Sequence, residues 1–415
     1  MDECFADPAC YFRQCLSKMG SQRLLGINAI RANPNMVGYS ATGTVDQGLT
    51  AEGFFTTFRD LKPGTIDAVF DGFYPLRWCT FVEPLNLYRG GKVRLEAVLA
   101  NEDVLAAGKY PVRVQVFGPR GIRLLDREFT LTIPEMDDKN ELSFAIPAFN
   151  EPLIVDGPAG KYRFSITFQS GAAAAGGVTE FFVDDPAQMP PVESTVTLWG
   201  QQDMMAKWLK DHAIRHRPFK PGKADTREVI LVGKRPQEPG GAAALGELAE
   251  RIGRGSTAVF LSPEVFGEGD KPTRWLPLQN KGTFAWLKSD LYIRDEWAKS
   301  HAIFAGLPAG GVLDLAFYRE MIPSHGYIGL DPPDEAVCGG IKTSLGYQSG
   351  LFVSVHKLGA GRFILNAFPI QENLGRNPVA ERLLRNMLRY ASIGTDAPPV
   401  NLPANFQQQL KTRGY

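Results

Sequence analysis

The chain of 415 residues is too long for one ordinary hydrophobic core, so we expect two or three domains. Apolar residues make up 44% and charged residues 22%, as in soluble globular proteins. Basic and acidic residues both number 45, and the zero net charge argues against a nucleic-acid or anionic-membrane partner. No window approaches the ~20 apolar residues of a membrane span. The acidic start Met1-Asp2-Glu3-Cys4 is unlike a signal peptide, so the cytoplasm is the default location.

The cysteines and histidines do not form a metal-binding pattern. Cysteines stand at positions 4, 10, 15, 79 and 338, without a C-x-x-C pair or a nearby histidine, so we expect reduced thiols and no zinc. His212 and His216 are four residues apart, but a basic helix end explains them better than a ligand pair. The glycine-rich stretches match no phosphate-binding fingerprint. No metal and no cofactor are therefore predicted.

The first block, residues 1–72, contains too few elements to form a core alone. Apolar spacing between Tyr11 and Ala32 predicts helix, in two pieces because Gly20 and Gly26 interrupt it. Asn33-Pro34-Asn35 ends this helix, since a residue before proline disfavours the α region. A short strand over Met36–Ser40 and a helix over Phe54–Phe58 are expected to follow.

The second block, residues 73–186, has the alternation of half-buried strands separated by turn residues. This pattern predicts a β-sandwich of the immunoglobulin-like type. The predicted strands are Lys92–Leu99, Tyr110–Phe117, Arg123–Ile133, Glu141–Ile146, Gly160–Phe168 and Val178–Val183. Gly171–Gly177 is expected to be a mobile hairpin tip.

The third block, residues 192–394, follows a proline-containing linker and alternates strands with helices. The alternation predicts an open α/β sheet covered by helices. Its predicted strands are Val196–Trp199, Glu228–Val232, Thr257–Leu261, Leu351–His356 and Arg362–Asn366, and its predicted helices are Met204–Ile214, Ala242–Ile252 and Pro378–Tyr390. The tail, residues 395–415, is rich in Pro, Asn and Gln, and we expect poor order from Ser392 onward.

Several motifs resemble a known family. Ala32-Asn33-Pro34-Asn35-Met36-Val37-Gly38-Tyr39 resembles the last barrel strand of β-galactosidase-like glycoside hydrolases of family 2. Leu61-Lys62-Pro63-Gly64, Pro75-Leu76-Arg77-Trp78-Cys79 and Val93–Glu102 resemble the passage from barrel to sandwich. His301-Ala302-Ile303-Phe304-Ala305-Gly306-Leu307-Pro308, Gly361–Asn366 and Glu372-Asn373-Leu374-Gly375 resemble flavodoxin-like domains of the class I glutamine amidotransferase type.

The resemblance implies the fold class: the end of a (β/α)8 barrel (1–72), an immunoglobulin-like sandwich (73–186) and a flavodoxin-like domain (192–394). It also implies the C-terminal part of a hydrolase acting on β-linked sugars. Retaining enzymes need two carboxyls about 5 Å apart. In this family they lie on the fourth and seventh barrel strands, and no residue here matches either role. We therefore expect no catalysis by this chain alone, and carbohydrate as partner only if the barrel is present.

The candidate site residues are Asp46, Gln47 and Glu52, which follow the predicted last barrel strand. Loops after barrel strands build the active-site face, so in an intact barrel these residues would line the sugar site. The alternative is an ordinary solvated turn, where Asp and Gly are common. An acid/base pair of Asp46 and Glu52 is disfavoured, because a glycine-rich loop does not fix their separation.

Two other functions are open. One is a non-catalytic carbohydrate-binding or homo-oligomerisation module, since aromatic residues are dense between 275 and 318. The other is a degenerate amidotransferase-like enzyme, with a nucleophile at Ser262 or Cys338. Pro263 removes an N–H from the expected oxyanion hole, and His356 lacks the H-x-E pattern. We expect that fold without that site.

Overall fold

The computed structural model describes residues 4–36, 38–40, 43–46, 53–135, 144–200, 203–222, 224–235, 241–287, 294–343 and 347–415. The helices are α1 (Pro8–Arg31), α2 (Thr65–Gly72), α3 (Asp203–Asp211), α4 (Gly241–Gly253), α5 (Leu315–Tyr318), α6 (Ile370–Asn373), α7 (Pro378–Ala391) and α8 (Phe406–Thr412). Among these described helices, none is both long and apolar enough to cross a membrane.

The strands fall into three sheets. Those of the first two sheets are β1 (Leu76–Glu83), β2 (Asn86–Tyr88), β3 (Gly91–Asn101), β4 (Gly108–Phe117), β5 (Arg123–Ile133), β6 (Ala145–Val155), β7 (Gly160–Phe168), β8 (Ala175–Gly176) and β9 (Val178–Asp184). Those of the third are β10 (Val196–Trp199), β11 (His216–Pro218), β12 (Val229–Val232), β13 (Thr257–Phe260), β14 (Lys281–Trp286), β15 (Arg294–Ala298), β16 (Gly311–Val312), β17 (His325–Leu330), β18 (Glu335–Thr343), β19 (Tyr347–Leu358) and β20 (Gly361–Asn366).

Helix α1 is continuous, so the predicted division into two helical pieces is wrong. Asp7 caps its first turn by accepting a hydrogen bond from the Cys10 amide at 2.6 Å, and Pro8 occupies the first helical position. A glycine within a helix costs only about 1 kcal/mol relative to alanine, which tertiary contacts can offset. At Gly20 the absence of a side chain allows a close crossing, since a Cβ would lie 2.8 Å from the Gly64 carbonyl oxygen.

Two further predictions for the first block differ from the structure. Residues 36 and 38–40 form no strand in the described part of the chain, and Val37 lies outside it. Residues 54–58 are not helical; Phe55 forms isolated bridges with Val45 and Leu61. Local apolar content suggested regular elements, but no neighbouring strand in the described residues pairs with them.

Residues 76–184 form a sandwich of two sheets, as the alternation predicts. Their strand orders are β6-β3-β1-β8 and β2-β9-β7-β4-β5. One apolar cluster joins the inner faces, including Trp78 and Leu95 from the first sheet and Val114 and Phe164 from the second. Part of Gly171–Gly177, predicted to be a mobile tip, instead contributes β8, which pairs in parallel with β1.

Residues 196–391 form a three-layer α/β unit around a sheet ordered β11-β10-β12-β13-β20-β19-β18-β15-β16, with β14 and β17 pairing beside it. The first five strands are parallel, and the rest are antiparallel. Alternate strand residues face opposite layers: Leu231 packs in the cluster with α3 and α7, and Ile230 in the cluster with α4 and α8. The protein is therefore a multidomain chain with mixed α/β and all-β parts.

The tail was expected to be poorly ordered, but it forms α8 and packs on the α/β unit. Phe406 and Leu410 are buried in the cluster that contains α4. The Tyr415 hydroxyl donates a hydrogen bond to the Trp275 carbonyl. The tail is mostly polar, but Phe406 and Leu410 are four residues apart, which is the spacing that buries one face of a short helix.

Charged and polar side chains connect the N-terminal segment, the sandwich and the α/β unit. Lys18 of α1 is buried against Asp295 and Glu296 of β15. Arg31 donates hydrogen bonds to the carbonyls of Gly72 and Tyr74, at 2.8 and 2.6 Å. The sandwich and the α/β unit meet through Tyr88 and Glu381 (2.7 Å), Asp184 and Arg382 (2.7 Å), and the Asn86 amide with the Phe317 carbonyl (2.7 Å).

Candidate functional site

A cleft of about 800 Å³ opens where α1, the sandwich and the α/β unit meet. We call it the junction cleft; its walls are formed by Ser21–Asn33 on α1 and just beyond, by strand residues around Thr80 and Thr179, and by Asp314–Arg319. A concave site between structural units, with both apolar and polar side chains, is the usual location of a small-molecule site.

The α1 wall presents Leu24 and Leu25, both half-buried, and the amide of Asn28. The Asn28 Oδ1 atom accepts a hydrogen bond from Arg77 Nε at 2.8 Å. Arg77 is buried and is itself held by Asp71, at 2.9 Å. This support fixes the Asn28 amide, and within the described part of the chain nothing accepts the hydrogens of its Nδ2 atom. Asn28 is therefore a pre-oriented donor at the cleft.

The sandwich wall combines hydroxyl and charged groups. Thr179 Oγ1 donates to the Thr80 carbonyl at 2.9 Å and lies 2.8 Å from Thr80 Oγ1. Arg94 lies between two carboxylates, 3.3 Å from Glu83 and 3.2 Å from Glu96. The wall therefore offers acceptors on both sides of a single guanidinium group.

The α/β wall is the short helix α5 and its flanks. Asp314 caps the helix by accepting a hydrogen bond from the Ala316 amide at 2.8 Å. Arg319 follows the helix and is exposed. Among the residues that the structure describes, its guanidinium has no hydrogen-bond or ion-pair partner. Arg319 is thus a cationic donor with all of its N–H groups available at the mouth of the cleft.

Together the walls have a chemistry that suits a small neutral polyhydroxyl molecule. Amide, guanidinium and carboxylate groups supply donors and acceptors, and the leucine side chains supply an apolar surface. Charges of both signs line the cleft, so a strongly anionic or cationic ligand would meet repulsion as well as attraction. Across the described residues, no group of three or more His, Cys, Asp or Glu side chains could hold a metal ion.

Of the predicted sugar-lining residues, Asp46 is described by the structure and lies outside the junction cleft. Asp46 is ion-paired with the buried Lys62 at 2.6 Å, and the same oxygen accepts the Gly53 amide at 2.9 Å. Gln47 and Glu52 lie outside the described residues. In this structure, therefore, Asp46 holds a loop in place and does not line the junction cleft.

The residues considered for amidotransferase-like catalysis, Ser262, Cys338 and His356, stabilise the fold and are not arranged for catalysis. Ser262 does follow a buried strand, β13, but its hydroxyl accepts the Glu264 amide and caps a single 3-10 turn. Cys338 is fully buried on β18, and burial raises the pKa of its thiol well above the ordinary value. His356 is buried on β19, where burial lowers its pKa to about 4. A thiol that resists ionisation is a poor nucleophile.

His301, in the motif that resembles amidotransferase-like domains, also has a structural role. Its Nδ1 atom accepts the Ile303 amide at 3.2 Å, so the proton is on Nε2, which donates to Glu335 at 2.8 Å. Burial alone would raise the pKa of Glu335, but hydrogen bonds from Tyr390 and His301 outweigh it and lower the pKa. Both imidazole nitrogens are used, so His301 is not available as a base.

The remaining histidine and aromatic predictions have mixed outcomes. His212 follows α3 but His216 lies on β11, so the two do not share a helix face. Trp275, Phe304, Phe317 and Tyr318 are buried in the core and offer no surface to a sugar, whereas Trp286 is exposed. Tyr292 lies outside the described residues.

Comparisons with known proteins do not assign a family. No family model and no curated protein matches the chain. Matching solved structures include a family 2 glycosyl hydrolase from Bacteroides cellulosilyticus, with 11% identity over 45% of this chain and 25% of that one, at a TM-score of 0.19.

Other matches are a cycloisomaltooligosaccharide glucanotransferase from Paenibacillus sp. and the alkylpurine DNA glycosylase AlkC from Pseudomonas fluorescens. For the first, identity is 11%, coverage is 51% of this chain and 32% of that one, and the TM-score is 0.20. For the second, identity is 14%, coverage is 29% of this chain and 38% of that one, and the TM-score is 0.18. The chain spans well under half the length of these three proteins. At such scores the matches carry no functional inference, although glycoside hydrolases of family 2 are among them.

The residues of the junction cleft were not predicted from the sequence. Asn28, Thr80 and Arg319 belong to three distant parts of the chain and share no motif or spacing. Only the close packing of α1 on both other units brings them together. The one local signal was Asp314, which stands before Leu315-Ala316-Phe317-Tyr318 in the manner of a helix cap.

Proposed function

We propose that this chain is the C-terminal portion of a β-galactosidase-like glycoside hydrolase of family 2 type, and that its own role is non-catalytic recognition of β-linked sugar. The proposal assigns residues 1–72 to the end of a (β/α)8 barrel, 73–186 to an immunoglobulin-like sandwich and 192–394 to a class I amidotransferase-like, flavodoxin-like domain. The motif resemblances support these assignments. Carbohydrate is the proposed partner.

The observation that carries the proposal is the junction cleft. Two of its polar groups are fixed before any ligand arrives: Arg77 orients the Asn28 amide, and the Asp314 carboxylate is held by the Ala316 amide. Pre-oriented groups lose less entropy on binding than flexible ones do. A neutral disaccharide would engage the amide, hydroxyl and guanidinium groups through its hydroxyls, while its apolar face lies against Leu24 and Leu25.

The outer surface of the first segment supports a barrel as neighbour. Large apolar side chains are exposed there although the inner side of the segment is anchored by Lys18 and Arg31. They are Phe12, Met36, Tyr39, Phe58, Leu61 and Phe70. This many exposed large apolar side chains in one short segment favour a surface that packs against another protein part. In an intact barrel, Asp46, Gln47 and Glu52 would lie on the sugar-facing rim.

Calorimetric titration with lactose, a β-linked galactoside, tests sugar recognition. We expect saturable binding by the whole chain and about tenfold weaker binding by Arg319→Ala, since a hydrogen bond from a charged group is worth roughly 1.5–3 kcal/mol. Arg376→Ala removes another exposed arginine, which does not line the cleft, and should bind like the unmodified chain. Equal weakening in both variants, or no binding at all, contradicts the proposal.

A hydrolysis assay tests the non-catalytic part separately. With nitrophenyl β-glycosides the chain should release nitrophenol only at the background rate. Turnover that disappears in Glu52→Gln would show that the chain carries its own catalytic carboxylate. That result would replace sugar recognition by sugar hydrolysis as the function of this chain.

A further inference from the structure

A row of aromatic rings occupies one face of the ribbon formed by β14 and β17. Phe284 and Trp286 are two residues apart on β14, so their side chains point to the same face. The antiparallel register places Tyr327 opposite Phe284 and His325 opposite Trp286. We call these four residues the aromatic ribbon.

The aromatic ribbon runs from the core to the surface. Tyr327 is buried and contacts Phe284, with ring centroids 5.0 Å apart. Phe284 is half-buried, whereas His325 is exposed and Trp286 exposes 56% of its surface. The His325 ring lies 5.7 Å from Phe284 and 6.4 Å from Trp286, with interplanar angles of 18° and 21°. Three rings thus share nearly one orientation, and Trp286 is the outermost.

Polar groups of the described residues border this surface. His325 Nδ1 lies 2.8 Å from Ser324 Oγ, and within the described part of the chain its Nε2 atom has no hydrogen-bond partner. Arg294 supports the rim by donating to the Ser324 carbonyl at 3.1 Å. Its charge is balanced by Glu296, whose carboxylate lies 2.6 Å from Arg294 Nε.

A sugar ring matches this combination better than the other candidate ligands do. The face of an aromatic ring is negative, so it attracts the weakly positive C–H groups on the apolar face of a pyranose. The hydroxyls at the sugar edge can bond to an imidazole nitrogen. A single-stranded nucleic acid would also stack, but it needs free cations for its phosphates, and among the described residues the rim cation Arg294 is already paired. Two exposed rings are also too small for a stable protein interface, which buries roughly 1,200 Å² or more.

We propose that the aromatic ribbon is a second carbohydrate site, on which one pyranose of a β-linked polysaccharide stacks against Trp286 while His325 Nε2 hydrogen-bonds a hydroxyl. This second site would extend the proposed sugar recognition to polysaccharides, and the inference rests on that proposed function. It differs from the junction cleft in chemistry, because it is an open platform suited to an internal unit of a long chain. It lies in the α/β unit, on elements that do not line the cleft.

Affinity electrophoresis in native gels containing soluble β-1,4-galactan tests the platform. We expect the polysaccharide to retard the whole chain, and Trp286→Ala to bind about tenfold more weakly. Trp286→Phe keeps a ring and should retain part of the retardation. Tyr347→Ala removes an aromatic side chain that is also highly exposed in the same sheet but lies outside the ribbon, and should migrate like the unmodified chain. Unchanged thermal midpoints show that each variant is folded.

Several results would overturn the inference. Each of three outcomes refutes the platform: the polysaccharide still retards Trp286→Ala as strongly as the unmodified chain, it loses its effect equally on Tyr347→Ala, or it does not retard the unmodified chain at all. Retardation by single-stranded DNA and not by galactan, or a dimer that Trp286→Ala converts to monomer, would assign the surface to another ligand. If the platform fails while lactose still binds through Arg319, the proposed function stands without it. If lactose fails as well, both are refuted.

Discussion

Replacing Lys18 by methionine should release helix α1 from the α/β unit. The ammonium group is buried together with Asp295 and Glu296, and it also donates to the Arg294 carbonyl at 2.7 Å. Methionine keeps the length of the side chain but leaves both carboxylates without this cation. Removing one member of a buried ion pair costs roughly 3–5 kcal/mol. Glu296 keeps Arg294 at 2.6 Å, so we take the lower end, about 3 kcal/mol.

Amide hydrogen exchange measures this loss where it occurs, which avoids assuming that a multidomain chain unfolds in one step. A loss of about 3 kcal/mol corresponds to about 100-fold faster exchange along α1. Lys207→Met is the matched control, since Lys207 makes an exposed helical pair with Asp211 at 3.2 Å and should cost about 0.5 kcal/mol or less. Adding Asp295→Asn to Lys18→Met should restore part of the protection. Exchange in α1 that changes less than threefold would refute the anchoring role of Lys18.

Other predictions concern glycine packing and pH. Gly26→Ala should stabilise α1 by about 0.5–1 kcal/mol, because nothing lies within 4 Å of the new Cβ, whereas Gly20→Ala should destabilise it through the contact with Gly64. Equal exchange protection in the two variants would contradict this difference. Burial holds the pKa of His356 at about 4, below the ordinary value of 6.5, so protons bind the unfolded state more tightly. The resulting stability is complete above pH 6.5 and is lost as pH falls toward 4, by about 3 kcal/mol in total. Thermal midpoints should therefore fall less in His356→Gln than in the unmodified chain over this range, and parallel curves would show that His356 is not responsible.

The sequence predicted best where one local pattern determines the structure. Alternation in Arg123–Ile133 and Gly160–Phe168 predicted both strands with their observed ends. Strands β1 and β15 were missed, because β1 is buried on nearly every residue and β15 is rich in charge. Asp295 and Glu296 are charged, so the sequence does not indicate that they are buried. Their burial depends on Lys18, which lies 277 positions before Asp295 in the chain. The aromatic density was visible, but only the packing of the folded chain leaves Trp286 exposed and buries Tyr327 on the neighbouring strand.

Comparing amide chemical shifts with and without lactose tests sugar recognition most directly, because the shifts report the place of binding and the sugar recovered from the same sample shows whether it was cleaved. We predict shifts at Asn28, Thr80 and Arg319 that are smaller in Arg319→Ala, with the disaccharide recovered intact. Shifts confined to other parts of the chain, or lactose cleaved to monosaccharides, would contradict it.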